Sequence, residues 1–185
     1  MSKNTKPVCP VELSGTLDNS IRRWLQNPQK ILKPYIAEGM TVLDVGCGPG
    51  FFSVEMAQMV GKTGKVIAAD LQEKMLQKVK EKIKGTALED RIILHKCEEN
   101  KIGVKQPVDF VLLFYMVHEV PNKEGLFKEI AAILKPRGKV MIAEPPLHVS
   151  KSAFEETLRI AGSTGFVIAE RPKLFFSRAV ILKKA

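Results

Sequence analysis

Long apolar runs, paired cysteines, repeats and low-complexity stretches are missing from this sequence, and each absence removes a class of protein. No run approaches the roughly 20 apolar residues needed to cross a bilayer, so no membrane span is expected. Three cysteines, Cys9, Cys47 and Cys97, lie far apart, without the spacing of a zinc site or a redox dithiol. They read as reduced thiols, and no metal site is expected. The polar stretch Met1 to Lys6 is not followed by an apolar signal core, which makes the cytoplasm the expected location.

What is present fits one globular domain. The 185 residues are 45% hydrophobic, enough for one core and too few for two ordinary domains. The net charge of +9 would favour RNA, acidic lipid or an anionic substrate. Its densest group, Lys74, Lys78, Lys80, Lys82 and Lys84, shares an expected helix with Glu73 and Glu81, and reads as a solvated helix face.

From Thr41 onward, short β-branched runs alternate with helical patterns, the mark of a parallel sheet covered on both faces. Strands are expected at Thr41–Val45, Lys65–Asp70, Arg91–Cys97, Val108–Tyr115 and Lys139–Glu144. Helices are expected at Phe51–Val60, Gln72–Lys84, Lys123–Leu134 and from Ser150 or Ser152 to about Ala161. Two closing strands, Phe166–Phe176 and Ala179–Lys183, have too short a link for a helical crossover and should be antiparallel. The expected fold is α/β, a Rossmann-like, doubly wound and mostly parallel seven-stranded sheet with an antiparallel last strand. Before Thr41 the spacing of Leu17, Ile21, Trp24 and Leu25 predicts a helix, stopped at Asn27-Pro28, with a second turn region through Ile31, Leu32 and Ile36.

The stretch Val42-Leu43-Asp44-Val45-Gly46-Cys47-Gly48-Pro49-Gly50 carries most of the chemistry. Glycines let a backbone pass close under a ligand, and the helix that follows offers free N–H groups and a positive dipole end. A dinucleotide loop would read G-x-G-x-x-G; here the last glycine falls one place early and Phe51 takes its position. Asp44 would repel a pyrophosphate yet attract an ammonium or sulfonium group. Asp70 ends the second strand, 26 residues after Asp44, and suits a ribose diol, because a carboxylate accepts from two adjacent hydroxyls. A nucleoside with a charged amino-acid tail is the ligand these residues ask for. The plain alternative is a strand-to-helix turn with no ligand.

Over Met40 to about Glu144 the sequence resembles the class I S-adenosylmethionine-dependent methyltransferases. The resemblance implies that Asp44, Gly46, Cys47, Gly48 and Gly50 hold the methionine part of S-adenosylmethionine, that Asp70 holds the ribose, and that Leu71 packs on adenine. It also implies that Glu98, preceded by Cys97, takes the adenine amino group, that Phe114 lies beside the methionine part, and that Met75 belongs to the same cofactor-binding set. S-adenosylhomocysteine would be the product. Residues 1–39 would be a helical extension or lid, and 40–185 the cofactor-binding domain.

Residues after the fourth and fifth strands should line the acceptor pocket. Tyr115, His118, Glu119, Glu144 and His148 could form its polar rim. An acceptor that must lose a proton needs a base, for which His118 is the first candidate and Tyr115 the second catalytic candidate. Alternatively, His118 caps a helix or bonds to Glu119. Arg22, Arg23 and Trp24 either hold a planar anionic acceptor or dock an amphipathic helix, and Cys9 with Cys97 could take a soft metalloid. A small-molecule acceptor is expected, in the manner of quinone-biosynthesis methyltransferases. RNA or protein methylation, a nicotinamide-dependent oxidoreductase and a non-catalytic cofactor-binding domain are the competing readings.

Overall fold

Alternation of buried β-branched segments with 3.6-period segments is what the chain folds into. The computed structural model describes residues 26–185. In chain order these form α1 (Pro28–Leu32), β1 (Thr41–Val45), α2 (Phe51–Met59), β2 (Lys65–Asp70), α3 (Glu73–Ile83), β3 (Ile92–Lys96) and β4 (Val108–Phe114). A 3-10 turn (Val117–Glu119) then leads to α4 (Lys123–Ile133), β5 (Leu134–Glu144), α5 (Lys151–Ser163), β6 (Phe166–Glu170) and β7 (Arg178–Lys184). The sheet order is β3-β2-β1-β4-β5-β7-β6. The first five strands pair in parallel, and β7 runs antiparallel to both β5 and β6.

The period of two along each strand sorts side chains onto two faces. Val42, Val66, Ala68, Phe110, Leu112 and Met141 pack under α2 and α3, whereas Leu43, Val45, Val111, Leu113, Val140 and Ile142 pack under α4 and α5. Phe110 and Phe127, with no exposed surface, each stabilise the fold by about 1.5–3 kcal/mol. Asn122 accepts from the Gly125 amide at 2.9 Å and Ser150 from the Ala153 amide at 3.1 Å, caps worth about 1 kcal/mol each.

Asn27-Pro28 opens α1: the Asn27 side chain accepts from the Lys30 amide at 3.1 Å, and proline tolerates the first helical turn. Two boundaries differ from the sequence expectation by more than two residues. The strand β5 already begins at Leu134, paired with Val108, before a register shift lets Pro136 and Gly138 bulge out. The strand β6 ends at Glu170 rather than Phe176. Pro172 lacks a ladder donor, and the chain turns between Leu174 and Ser177, whose backbones bond at 3.3 Å. The expected helix at Leu17–Leu25 lies outside the described residues. No helix among the described residues is long and apolar enough to cross a membrane.

Because the chain runs outward from β1 to β3 and then returns to lay β4 against β1, a crevice opens at the carboxyl ends of these two strands. The candidate site occupies it.

Candidate active site

At the end of β1, Asp44 points to the face covered by α2, only 2% exposed, and accepts from Ser53 Oγ at 2.6 Å. The next residues turn on three glycines with positive φ, Gly46 at 70°, Gly48 at 54° and Gly50 at 83°. A Cβ on Gly46 would lie 3.1 Å from Met116, and one on Gly50 would lie 3.1 Å from Val79, so a side chain at either position would crowd its neighbour as well as strain the backbone. Gly48 has open space there, facing the cleft. Its amide donates to Asp70 Oδ2 at 2.9 Å, while the Gln72 amide donates to Oδ1 at 2.8 Å. Asp70 thus joins the glycine loop to the start of α3. Burial pushes its carboxyl above the ordinary 3.8, opposed by the amides of Gln72 and Gly48 and by the Lys96 charge. Lys96 in turn donates from Nζ to the Leu71 carbonyl.

These residues border one cleft of about 1500 Å³. Asp44, Gly46, Cys47, Gly48, Asp70, Leu71, Met75, Cys97, Glu98 and Phe114 all line it, with Glu98 exposed at the rim. Gly50 does not; it caps α2 in the left-handed conformation and lets α2 pack on α3. Burial, with Asp44 and Asp70 adding, pushes the Cys47 thiol up, and burial first and Asp70 second push Cys97 up to about 11. Both thiols are thereby held in the protonated form at neutral pH. No group of three His, Cys, Asp or Glu among the described residues could hold a metal ion.

Across the cleft, the 3-10 turn after β4 presents His118, whose side chain is 24% exposed. Glu144, at the end of β5 and 1% exposed, reaches it at two points: Oε2 lies 2.6 Å from Nδ1, and Oε1 accepts from the His118 amide at 3.0 Å. An ionised carboxylate can only accept, so facing one Nδ1 is the donor of this pair. Glu119 Oε1 stands farther off, 3.9 Å from Nε2, and the His148 ring lies 6.3 Å from that of His118. The sequence offers Glu144 for the rim of the pocket without joining it to His118. Tyr115 follows β4 with φ 60°, and its ring packs on Phe114 at 4.5 Å, itself 4.4 Å from Phe52. Gln26, Phe175 and Phe176 also line the cleft and carried no sequence signal. Cys9, Arg22, Arg23 and Trp24 lie outside the described residues.

A solved S-adenosylmethionine-dependent methyltransferase from Aquifex aeolicus matches this fold with a TM-score of 0.85 at 30% identity, over 96% of this chain and 100% of that one. A family model described as a methyltransferase domain matches residues 36–165. The chain belongs to the class I S-adenosylmethionine-dependent methyltransferases. The demethylmenaquinone methyltransferase of Lactococcus lactis subsp. lactis (strain IL1403) is 34% identical over 120 residues, 63% of this chain and 48% of that protein. The one from Lactobacillus johnsonii is 34% identical over 122 residues, 65% of this chain and 49% of that protein. This methyltransferase thus spans about half the length of these curated relatives. Aeropyrum pernix fibrillarin, solved with natively bound S-adenosyl-L-methionine, shares the fold at a TM-score of 0.65 and 12% identity, over 80% of this chain and 68% of that one. The cofactor of the family is S-adenosylmethionine, and the donor set fits it: two buried carboxylates on one cleft, bridged by an open glycine turn, suit a cationic tail and a diol.

Proposed function

We propose that this methyltransferase methylates a small acceptor whose reacting atom must lose a proton, and that His118 takes that proton. The cofactor supplies an electrophilic methyl group on a sulfonium, so the chain's own work is alignment, exclusion of water and proton handling. Asp44 and the turn Gly46-Cys47-Gly48 would hold the methionine end, and Asp70 the ribose hydroxyls. Leu71, Met75 and Cys97 would flank adenine with Glu98 at its amino group, and Phe114 would lie beside the methionine end. Gly50 acts through the backbone, by shaping the turn.

The observation that carries the reading is the grip of buried Glu144 on His118 at both Nδ1 and the backbone amide. In this reading Nδ1 donates to Glu144, Nε2 is the atom that takes the acceptor's proton, and the carboxylate stabilises the imidazolium so formed. With the methyl group supplied by the cofactor, His118 Nε2 would hold the proton that the acceptor gives up. The run Phe52, Phe114 and Tyr115 makes one wall of the cleft apolar, which favours a ring-shaped acceptor. The relatives named for methylating demethylmenaquinone support a small quinone-type acceptor, and 1,4-dihydroxynaphthalene is the first compound to test.

The test is formation of S-adenosylhomocysteine from that acceptor. We expect the unaltered chain to turn over and His118→Asn to lose about 10²- to 10⁴-fold in kcat while S-adenosylhomocysteine still binds. Parental turnover in His118→Asn removes it as the base. No turnover by the unaltered chain rejects the dihydroxynaphthalene class.

A further inference from the structure

Two non-glycine residues among those described have a positive φ, Tyr115 at 60° and Phe176 at 51°, and they are bonded to each other: the Tyr115 hydroxyl lies 3.0 Å from the Phe176 carbonyl oxygen. Bulky aromatic residues seldom adopt this backbone region, and such outliers persist only where surrounding contacts over-determine them. Here the contacts converge on one phenol. Ser177 Oγ lies 2.7 Å from it, and Gln26 Nε2 donates to it at 2.6 Å. The Tyr115 amide donates to the Ala143 carbonyl at 2.8 Å, and its ring leans on Phe114. Tyr115 is therefore anchored to the sheet at its backbone and holds two separate pieces of chain at its tip.

Those two pieces wall the cleft. One is Gln26, 9% exposed. The other is the tight turn Leu174–Ser177 in the β6–β7 connection, whose corner residues Phe175 and Phe176 are 60% and 56% exposed and border the cleft. Two exposed aromatic rings at the corner of a turn have little packing of their own to hold them in place. The phenol supplies what packing does not.

We infer that Tyr115 is a positioning residue: its hydroxyl pins the Phe175-Phe176 turn and Gln26 at the mouth of the cleft, and so sets which acceptor fits. This rests on the proposed methyl transfer for its consequence, though not for the pinning itself. The phenol has one proton, which goes to the Phe176 carbonyl or to Ser177 Oγ, while Gln26 fills an acceptor position. The hydroxyl is thereby committed to holding the turn, which separates Tyr115 from the proton transfer assigned to His118. The turn it holds through the Phe176 carbonyl carries two apolar rings, so the acceptor favoured beside that turn is flat and apolar.

Tyr115→Phe keeps the ring on Phe114 and deletes the hydroxyl; Ser177→Ala removes one partner and leaves the Phe176 carbonyl. Amide hydrogen exchange of the full chain, saturated with S-adenosylhomocysteine, reads the pinning without any acceptor. We expect exchange at residues 174–177 to quicken by about fivefold or more in Tyr115→Phe, from loss of a hydrogen bond worth roughly 1 kcal/mol, and by less in Ser177→Ala. Affinity for S-adenosylhomocysteine should hold. With 1,4-dihydroxynaphthalene as acceptor, KM should rise by about the same factor in Tyr115→Phe with kcat nearly unchanged. Unchanged exchange in both variants overturns the pinning, and a collapse of kcat at constant KM makes Tyr115 catalytic instead. If the unaltered chain does not methylate this acceptor, the exchange result still decides the pinning, and only the proposed acceptor class fails.

Discussion

The two ends of the cleft are built in opposite ways. The end that would hold the cofactor is local: Asp44 to Gly50 are contiguous, Asp70 ends the neighbouring strand, and one hydrogen bond from Gly48 joins them. The opposite end has no contiguous turn: Glu144 reaches His118 over 26 residues, no farther than Asp70 lies from Asp44, but Tyr115 reaches Gln26 over 89 and Ser177 over 62. The glycine turn needs only its own backbone and the neighbouring strand β2 to be right, whereas the opposite set needs β4, β5 and the β6–β7 connection all in place. Ligand binding and turnover should therefore fail separately when each end is altered.

The sharpest way to break that comparison is Glu144→Gln. The amide keeps the shape and can still accept one of the two bonds, but it no longer balances a charged imidazolium. We expect kcat to fall by about 10- to 10³-fold with S-adenosylhomocysteine affinity unchanged in calorimetry. A matching loss of affinity would show that the two ends are one unit.

At the local end, Asp70→Ala should weaken S-adenosylhomocysteine by about 1–3 kcal/mol, through lost charge-assisted bonds. The pH dependence sharpens this. Burial raises the Asp70 carboxyl above its ordinary 3.8, so affinity should be full at neutral pH and fall on acidification before an ordinary aspartate would protonate. That acid-side loss should be absent in Asp70→Ala. The smallest effect belongs to Gly50→Ala, which places a Cβ at φ 83° and 3.1 Å from Val79. A loss of about 1–2 kcal/mol in stability is expected, read in denaturant unfolding.

The same contrast explains what the sequence made legible. Asp44, the G-x-G-x-G turn and Asp70 could be read because their spacing is the geometry, and the strand and helix order followed from hydrophobic period. The pairing of His118 with Glu144 could not, since it depends on β5 lying beside β4 and on which face of β5 Glu144 occupies. Nor could the turn at Leu174–Ser177. Phe166 to Phe176 is apolar enough to read as one strand, and only the missing ladder donor at Pro172 and the hydrogen bond from Tyr115 to the Phe176 carbonyl indicate that it stops at Glu170. Phe176 in the left-handed region has no sequence signature at all, because that conformation usually calls for glycine.

The most direct test of this division is S-adenosylhomocysteine titrated side by side into the unaltered chain, His118→Asn and Asp70→Ala. The account predicts equal affinity for the first two and a clear loss in the third. A loss in His118→Asn, or none in Asp70→Ala, would contradict it.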